Sequence, residues 1–291
     1  MKTFKSYHPL TGAVYFLYCI IFTVIYRHPI AVVTAFLCAF LLALTTSGKR
    51  AVRFNLRFIL PVFLLTAAIN PLINHEGATI LTYFKNGNPL TLESVSYGVY
   101  AGVMLAAVMN IFLSINEIMT DDKISYLLGN TAPYLALIFS LTLRFIPRFT
   151  EYIKEASAAQ KMLADEGEKG FAKSFKASAA AVSSAVTRSI EHSAQTAVSM
   201  KSRGFATGKR TYFSLYRFTS RDIFALSYIA ACVLYISLMT ANGALDFYYF
   251  PVTARLEFDF KTVSALAVSF ALLVFPGFID VKEEIKWKLS H

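Results

Sequence analysis

Six apolar stretches dominate the sequence, and each is close to the length that a helix needs to cross a lipid bilayer. They cover residues 11–26, 29–46, 58–74, 97–115, 222–241 and 262–280. About 20 mainly apolar residues span the hydrocarbon core as an α-helix. Only 16% of the residues are charged, against about a quarter in soluble domains. We therefore expect an all-α polytopic membrane protein with about six transmembrane helices.

A seventh apolar stretch, residues 133–147, is shorter, carries Arg144 and is bounded by Pro133 and Pro147. Lys and Arg collect in cytoplasmic loops, so the basic loop 47–57 predicts a cytoplasmic N-terminus. The region from Arg144 to residue 221 also has a clear excess of basic residues. A crossing by the seventh stretch would place that region outside. We predict an interfacial or partly buried helix there instead, and a cytoplasmic C-terminus.

These patterns divide the chain into three regions. We predict four spans in residues 1–130, an interfacial helix with a cytoplasmic coupling-helix region in 131–215, and two spans in 216–291. In the external segment 75–96, Asn86-Gly87 lies between two β-prone runs, which is typical of a hairpin. The cytoplasmic region contains two helical stretches, about 144–165 and 172–203.

Small and polar residues indicate how the helices pack. The alanine- and serine-rich second cytoplasmic stretch allows another helix to approach closely, as do Gly98, Gly102 and Ala106 in the fourth span. Asn70 and Asn110 are expected to form interhelical hydrogen bonds. Single cysteines inside apolar stretches, for which we expect a packing role, are Cys19, Cys38 and Cys232.

The sequence lacks the residue patterns of an enzyme. No metal-ligand motif and no catalytic constellation occurs, so we expect no catalytic residues, no metal site and no cofactor bound by this chain. Acidic residues are almost missing from the predicted spans, whereas secondary transporters usually carry ionisable groups there. Acids at or beyond the span ends are Glu117, Asp121, Asp246 and Asp259.

A cationic run, SMKSRGFATGKRTYF at 199–213, superficially resembles a phosphate-binding loop. A Walker loop follows Gly-x-x-x-x-Gly-Lys-Ser/Thr between a strand and a helix. Here Gly204 and Gly208 enclose three residues instead of four, Arg210 stands at the hydroxyl position and Thr211 is displaced. Because the preceding segment is also helical in pattern, we reject nucleotide binding by this run.

The same residues fit the end of a helix. Arg203 falls in the last turn, where a cation interacts favourably with the helix dipole, and Gly204 supplies the left-handed residue that stops the helix. Two roles remain open on physical grounds: contact with lipid headgroups, or presentation of Arg203 to an acidic groove on another protein.

These segments resemble the transmembrane T component of energy-coupling factor (ECF) transporters, the EcfT/CbiQ family. The likeness lies in LTLRFIPRFTEYIKEASAAQ at 141–160, AVSMKSRGFATGKRTYF at 197–213, INPLINHEGATIL at 69–81 and LTLESVSYG at 90–98. The resemblance extends over nearly the whole chain, because the order of elements is also similar: membrane helices, then a cytoplasmic helical insert, then closing membrane helices.

The resemblance implies a non-catalytic coupling subunit in a prokaryotic plasma membrane. Its partners would be two ABC-type ATPase subunits, which bind ATP and Mg, and a small membrane S component. The S component captures a vitamin or a transition-metal ion such as cobalt or nickel. No nucleic-acid partner is expected.

Family members carry an X-Arg-Gly motif at the end of each of two coupling helices. The second motif corresponds to Ser202, Arg203 and Gly204. Where the first is expected, the chain has Lys161, Met162, Leu163 and Ala164, without an arginine–glycine pair. Lys161 is a poor substitute for a guanidinium fork, so we expect one ATPase contact to be weaker or made by other residues.

Two other functions compete with this one. A stand-alone secondary transporter is disfavoured by the acid-poor spans. A membrane scaffold that recruits another partner, such as anionic lipid, is compatible with the basic region.

Overall fold

The computed structural model describes residues 4–83, 87–163, 171–205, 207, 216–254 and 258–290. The chain divides into two compact units, one formed by Met1–Lys123 with Tyr216–His291 and the other by Ile124–Leu215. The first unit, called here the membrane unit, contains the apolar helices. The second, the insert unit, contains two long amphipathic helices.

Helices make up most of the described chain. After a 3₁₀ turn at Phe4–Ser6 they are α1 Pro9–Ile25, α2 Pro29–Ser47, α3 Lys49–Phe54, α4 Leu60–Ile73, α5 Leu92–Ile118, α6 Asp121–Thr131, α7 Pro133–Leu163, α8 Phe171–Ser202, α9 Ser220–Ala241 and α10 Phe260–Ser290. Among the described residues, five helical segments are long and apolar enough to span a membrane: α2, α3 to α4, α5, α9 and Phe260–Lys282 of α10. The 17-residue α1 is apolar but shorter. The predicted all-α polytopic class is confirmed.

Helix α5 lies at the centre of the membrane unit, where it packs against α1, α2 and α4. Helix α10 packs against α2 and α9. The three cysteines lie in the apolar core between these helices, as predicted.

Helices α4 and α5 approach closely because α5 presents glycines to α4. A Cβ atom on Gly98 would lie 2.9 Å from the Ala67 carbonyl oxygen, and one on Gly102 would lie 2.8 Å from the Phe63 ring. The predicted close packing at Gly98 and Gly102 is therefore confirmed, and Ala106 is buried one turn further along α5.

One of the two predicted polar contacts is present. The Asn110 side chain, fully buried, exchanges hydrogen bonds with Asn55: Asn55 Nδ2 donates at 2.8 Å and Asn110 Nδ2 at 3.0 Å. The Asn70 side-chain oxygen is buried without a hydrogen-bond partner among the described residues, so the predicted interhelical bond is not observed there.

The basic segment 47–57 is helical, and its prediction as a loop was wrong. Gly48, with φ +54°, makes the only turn, and α3 continues through a π-helical turn at Asn55–Ile59 into α4. The Leu60 N–H bonds to the Asn55 carbonyl oxygen, five residues back. In an α-helix the Pro61 ring would clash with the carbonyl four residues earlier. The wider turn relieves that clash, so the helix need not end.

The predicted hairpin is present. Strands β1 (Ile80–Tyr83) and β2 (Pro89–Thr91) pair in antiparallel orientation, and Gly87 has φ +80°. The buried Glu93 carboxylate accepts bonds from the Thr79 N–H at 3.2 Å and the Thr79 hydroxyl at 2.8 Å. These bonds attach the hairpin to the first turn of α5.

The interfacial helix predicted at 133–147 is not separate from the cytoplasmic stretch predicted at about 144–165. Residues 133–147 and the first cytoplasmic stretch form one continuous helix, α7, with Pro147 inside it. The sequence beyond the proline favours helix and packs against α8, which offsets the one backbone bond that proline cannot donate. Helix α7 is not among the helices apolar enough to span a membrane.

Candidate functional site

Helix α8 ends in a Schellman motif built around Gly204. The Gly204 N–H bonds to the Lys201 carbonyl oxygen at 3.0 Å, and the Phe205 N–H bonds to that of Met200 at 3.0 Å. These are the two bonds that define the motif, and the glycine adopts the left-handed conformation that it requires, with φ +81°. The predicted role of Gly204 as the helix stop is confirmed.

The chain after the stop is held close to it. Thr207 lies beyond the end of the helix. Its N–H and its hydroxyl both donate hydrogen bonds to the Gly204 carbonyl oxygen, at 3.2 and 2.6 Å. Residues Gly208 to Thr211, which supplied the second half of the apparent phosphate loop, lie outside the described residues.

Arg203 is the C-cap of α8 and is exposed. Its N–H bonds to the Ser199 carbonyl oxygen at 3.2 Å, which fixes its backbone. Within the described part of the chain its guanidinium has no ion pair or hydrogen bond. The Ser202 hydroxyl turns back to the Ser199 carbonyl at 2.9 Å. The site therefore presents an exposed guanidinium on a fixed backbone.

Helices α7 and α8 form an antiparallel pair. The Arg188 guanidinium bonds to the Glu155 carboxylate at 2.7 Å and stacks 4.5 Å from the centre of the Tyr152 ring. One turn further along α8, His192 Nε2 lies 2.9 Å from the Arg148 guanidinium. Later residues of α8 therefore contact earlier residues of α7, as expected for two helices that run in opposite directions.

Small residues line the contact side of α8. Ala181 and Ala185 are each 1% exposed and, like Arg188 and His192, recur at helical spacing on one face. Without longer side chains between them, the two helices approach closely, as the alanine-rich sequence predicts.

The insert unit is strongly basic. Its 92 residues, Ile124–Leu215, contain twelve Lys and Arg and six Asp and Glu, in a chain whose net charge is +10. Arg203 is therefore presented within a positive field, which favours an acidic surface over a neutral one.

Comparison with known proteins decides the family. The family described as cobalt transport protein, CbiQ, matches residues 3–213. The chain belongs to the CbiQ family. No curated protein matches it at a significant level. The family match covers α1 to α8 and includes Ser202, Arg203 and Gly204, so this CbiQ-family chain is a multi-pass membrane protein of a transport family.

The residues predicted as a degenerate first motif lie at the other end of the helix pair. Lys161, Met162 and Leu163 form the last turn of α7, and Met162 is 88% exposed. Ala164 lies outside the described residues. Because α7 and α8 are antiparallel, their C-terminal ends point in opposite directions. The Arg203 tip and the end of α7 are roughly 35 Å apart along the pair, at 1.5 Å per residue.

Three acids of the membrane unit were overlooked at the sequence level: Glu93, Asp222 and Asp280. Glu93 makes the hairpin contact described above. The Asp222 carboxylate accepts a hydrogen bond from the His8 N–H at 2.8 Å, and the Asp280 carboxylate accepts one from the Phe4 N–H at 2.7 Å. All three carboxylates hold backbone groups in place. Among the described residues, no cluster of three or more His, Cys, Asp or Glu could hold a metal ion.

Proposed function

We propose that this CbiQ-family protein is the transmembrane coupling subunit of an ECF-type ABC importer. It transmits the motion of two ATPase subunits, which bind ATP and Mg, to a small membrane S component that captures the substrate. The chain itself carries out no catalysis. Its setting is a prokaryotic plasma membrane, with both termini and the insert unit on the cytoplasmic side.

The exposed Arg203 at the end of α8 is the observation that carries this proposal. A guanidinium can bond two carboxylate oxygens at once, and a helix end fixed by a Schellman motif loses little freedom when a partner binds it. Contact with lipid headgroups would not need such a fixed backbone. An acidic groove on an ATPase subunit would benefit from it.

The antiparallel helix pair supports two separate docking sites. One ATPase subunit binds the Arg203 tip, and the second binds the end of α7 near Lys161 to Ala164. Because Lys presents a point charge where Arg presents a planar fork, the second contact is weaker or uses neighbouring residues.

The family name suggests the cargo class. We infer a transition-metal ion, with cobalt as the first candidate and nickel as the next, and a vitamin as the alternative cargo. The S component is the subunit that distinguishes among them.

Charge reversal at the tip tests the proposal. The full chain is co-expressed with its ATPase and S-component partners, and the ATPase recovered in mild detergent is measured together with substrate uptake. Removing one partner of a desolvated charge pair costs about 2 kcal/mol or more, so Arg203→Glu should weaken ATPase binding by about 30-fold or more. Arg203→Lys should give an intermediate loss.

Lys154→Glu is the matched control, because Lys154 is an exposed cation in the middle of the α7 and α8 pair, away from both proposed docking sites. It should leave ATPase recovery and uptake near the parent level. Unchanged complex formation and uptake in Arg203→Glu would contradict the proposal. Ion-driven uptake by the purified chain without ATP would instead identify a secondary transporter.

A further inference from the structure

A groove in the membrane unit opens between α2, the α3 to α4 helix and α5. Its volume is about 530 Å³, and its walls include Phe36, Phe40, Leu56, Leu60 and Phe63. Asn55 is the one polar residue among those that line it, and its amide already bonds to Asn110 and to the Ala51 carbonyl oxygen. The groove therefore offers no free polar group to water or to a hydrophilic ligand.

The groove continues into a basic depression. Val52 and Leu56 line both the groove and a second, shallow cavity whose other walls are Lys49, Arg53 and Arg57. The three cations recur every four residues, so they lie on one face of the helix, and all are exposed.

Among the described residues, nothing pairs with the side chains of these three cations. In the described part of the chain, none has an ion pair or a hydrogen bond for its side chain, whereas the adjacent Arg50 is paired with Glu117 at 3.4 Å. We call them the basic triad. An apolar groove that ends in an unpaired basic triad matches a ligand with an apolar tail and an anionic head.

We propose that this groove and the basic triad bind one anionic phospholipid, with an acyl chain along the groove and the phosphate at Lys49, Arg53 and Arg57. Basic pockets beside transmembrane helices on the cytoplasmic side bind anionic headgroups in this way. The basic residues also place this end of the helix on the cytoplasmic side.

The charge at the end of the groove favours a lipid over a helix of a partner protein. The groove is apolar and its neighbouring depression is lined by three cations, and an acyl chain with an anionic headgroup matches both parts in one molecule.

Fluorescence quenching by brominated lipids tests the site. The single tryptophan, Trp287, is replaced by Phe, and Leu60→Trp places a reporter in the groove. The full chain is reconstituted in vesicles with acyl-brominated phosphatidylglycerol or phosphatidylcholine of the same chain length. The reporter should be quenched at a lower mole fraction of phosphatidylglycerol than of phosphatidylcholine.

Removing charge from the triad should abolish this preference. Arg53→Gln with Arg57→Gln should lower the relative affinity for phosphatidylglycerol by about 25-fold, since each cation near an anionic surface contributes about fivefold. Arg221→Gln with Lys282→Gln removes two exposed cations elsewhere in the same unit and should leave the preference unchanged. A reporter at Leu234→Trp, 62% exposed on α9, should show no preference.

Three outcomes would overturn the proposal. Equal quenching of the Leu60→Trp reporter by both lipids would identify ordinary bilayer lipid. Loss of the preference on adding millimolar inorganic phosphate would show that the triad binds free phosphate. Disappearance of quenching by either lipid in the assembled transporter would show that a partner helix occupies the groove.

Discussion

The side-chain amides of Asn55 and Asn110 exchange two hydrogen bonds between the π-helical turn and α5. This pair joins two helices at the point where one of them departs from α-helical geometry. Each amide also donates to a carbonyl oxygen of its own helix, Ala51 for Asn55 and Ala106 for Asn110. The pair thus satisfies polar groups that would otherwise be left in an apolar interior.

Leucine substitutions test this pair, because leucine has nearly the shape of asparagine without its polar atoms. Asn55→Leu leaves the fully buried Asn110 amide with fewer partners and should lower the free energy of unfolding by about 1–3 kcal/mol. In a double-mutant cycle with Asn110→Leu, we expect a coupling energy of about 0.6–1.7 kcal/mol. Unfolding in mixed micelles measures each value. Strictly additive single effects would contradict a direct interaction.

Gly102 should tolerate no side chain. A Cβ atom there would lie 2.8 Å from the Phe63 ring and 3.1 Å from the Phe63 carbonyl oxygen, so Gly102→Ala should lower the free energy of unfolding by about 1–3 kcal/mol. Gly277→Ala is the matched control, because a Cβ atom there meets nothing within 4 Å and alanine favours helix. Equal losses in the two variants would show that the close approach of α4 and α5 is not the cause.

The end of α8 should depend on the left-handed conformation of Gly204. Gly204→Val should unravel the last turn, because a left-handed backbone costs about 1–2 kcal/mol for ordinary residues and more for β-branched ones. Gly204→Asn should retain most of the turn, since asparagine adopts this conformation more readily. Amide hydrogen exchange from Met200 to Phe205 measures the effect independently of any partner. Equal protection in both variants would contradict the assignment.

The α7 and α8 pair should be held by its small buried residues more than by its visible ion pair. Arg188 and Glu155 are 58% and 62% exposed, so Glu155→Gln should cost at most about 1 kcal/mol and less at high salt. Ala185→Leu should cost about 1–3 kcal/mol, because the site is 1% exposed. Hydrogen exchange along α8 distinguishes the two. A larger effect of Glu155→Gln would reverse this ranking.

Local patterns in the sequence predicted the spans, the hairpin and the end of α8. Each depends on residues near one another in the chain, such as Asn86-Gly87 for the hairpin and Gly204 directly after Arg203. The glycines facing α4 were predicted for the same reason, since small residues at helical spacing indicate close packing before the partner helix is known.

The features that sequence reasoning missed are set by contacts between distant residues or by the cost of interrupting a helix. Residues 47–57 were interpreted as a loop, although the chain turns at Gly48 and is helical from Lys49 onward. The interfacial helix at 133–147 and the cytoplasmic stretch at about 144–165 were predicted separately, but they form one helix that packs against α8. The bond between Arg148 and His192 joins residues 44 positions apart, and a single sequence does not identify such partners.

The antiparallel arrangement of α7 and α8 couples the movements of their two C-terminal ends. A rigid rotation of the pair about its midpoint moves its two C-terminal ends in opposite directions by equal amounts. With arms of roughly 17 Å, a tilt of about 10° displaces each end by about 3 Å. A displacement of Arg203 in one direction then displaces the end of α7 in the opposite direction. Two partners bound at these two ends therefore cannot move independently while the pair stays rigid.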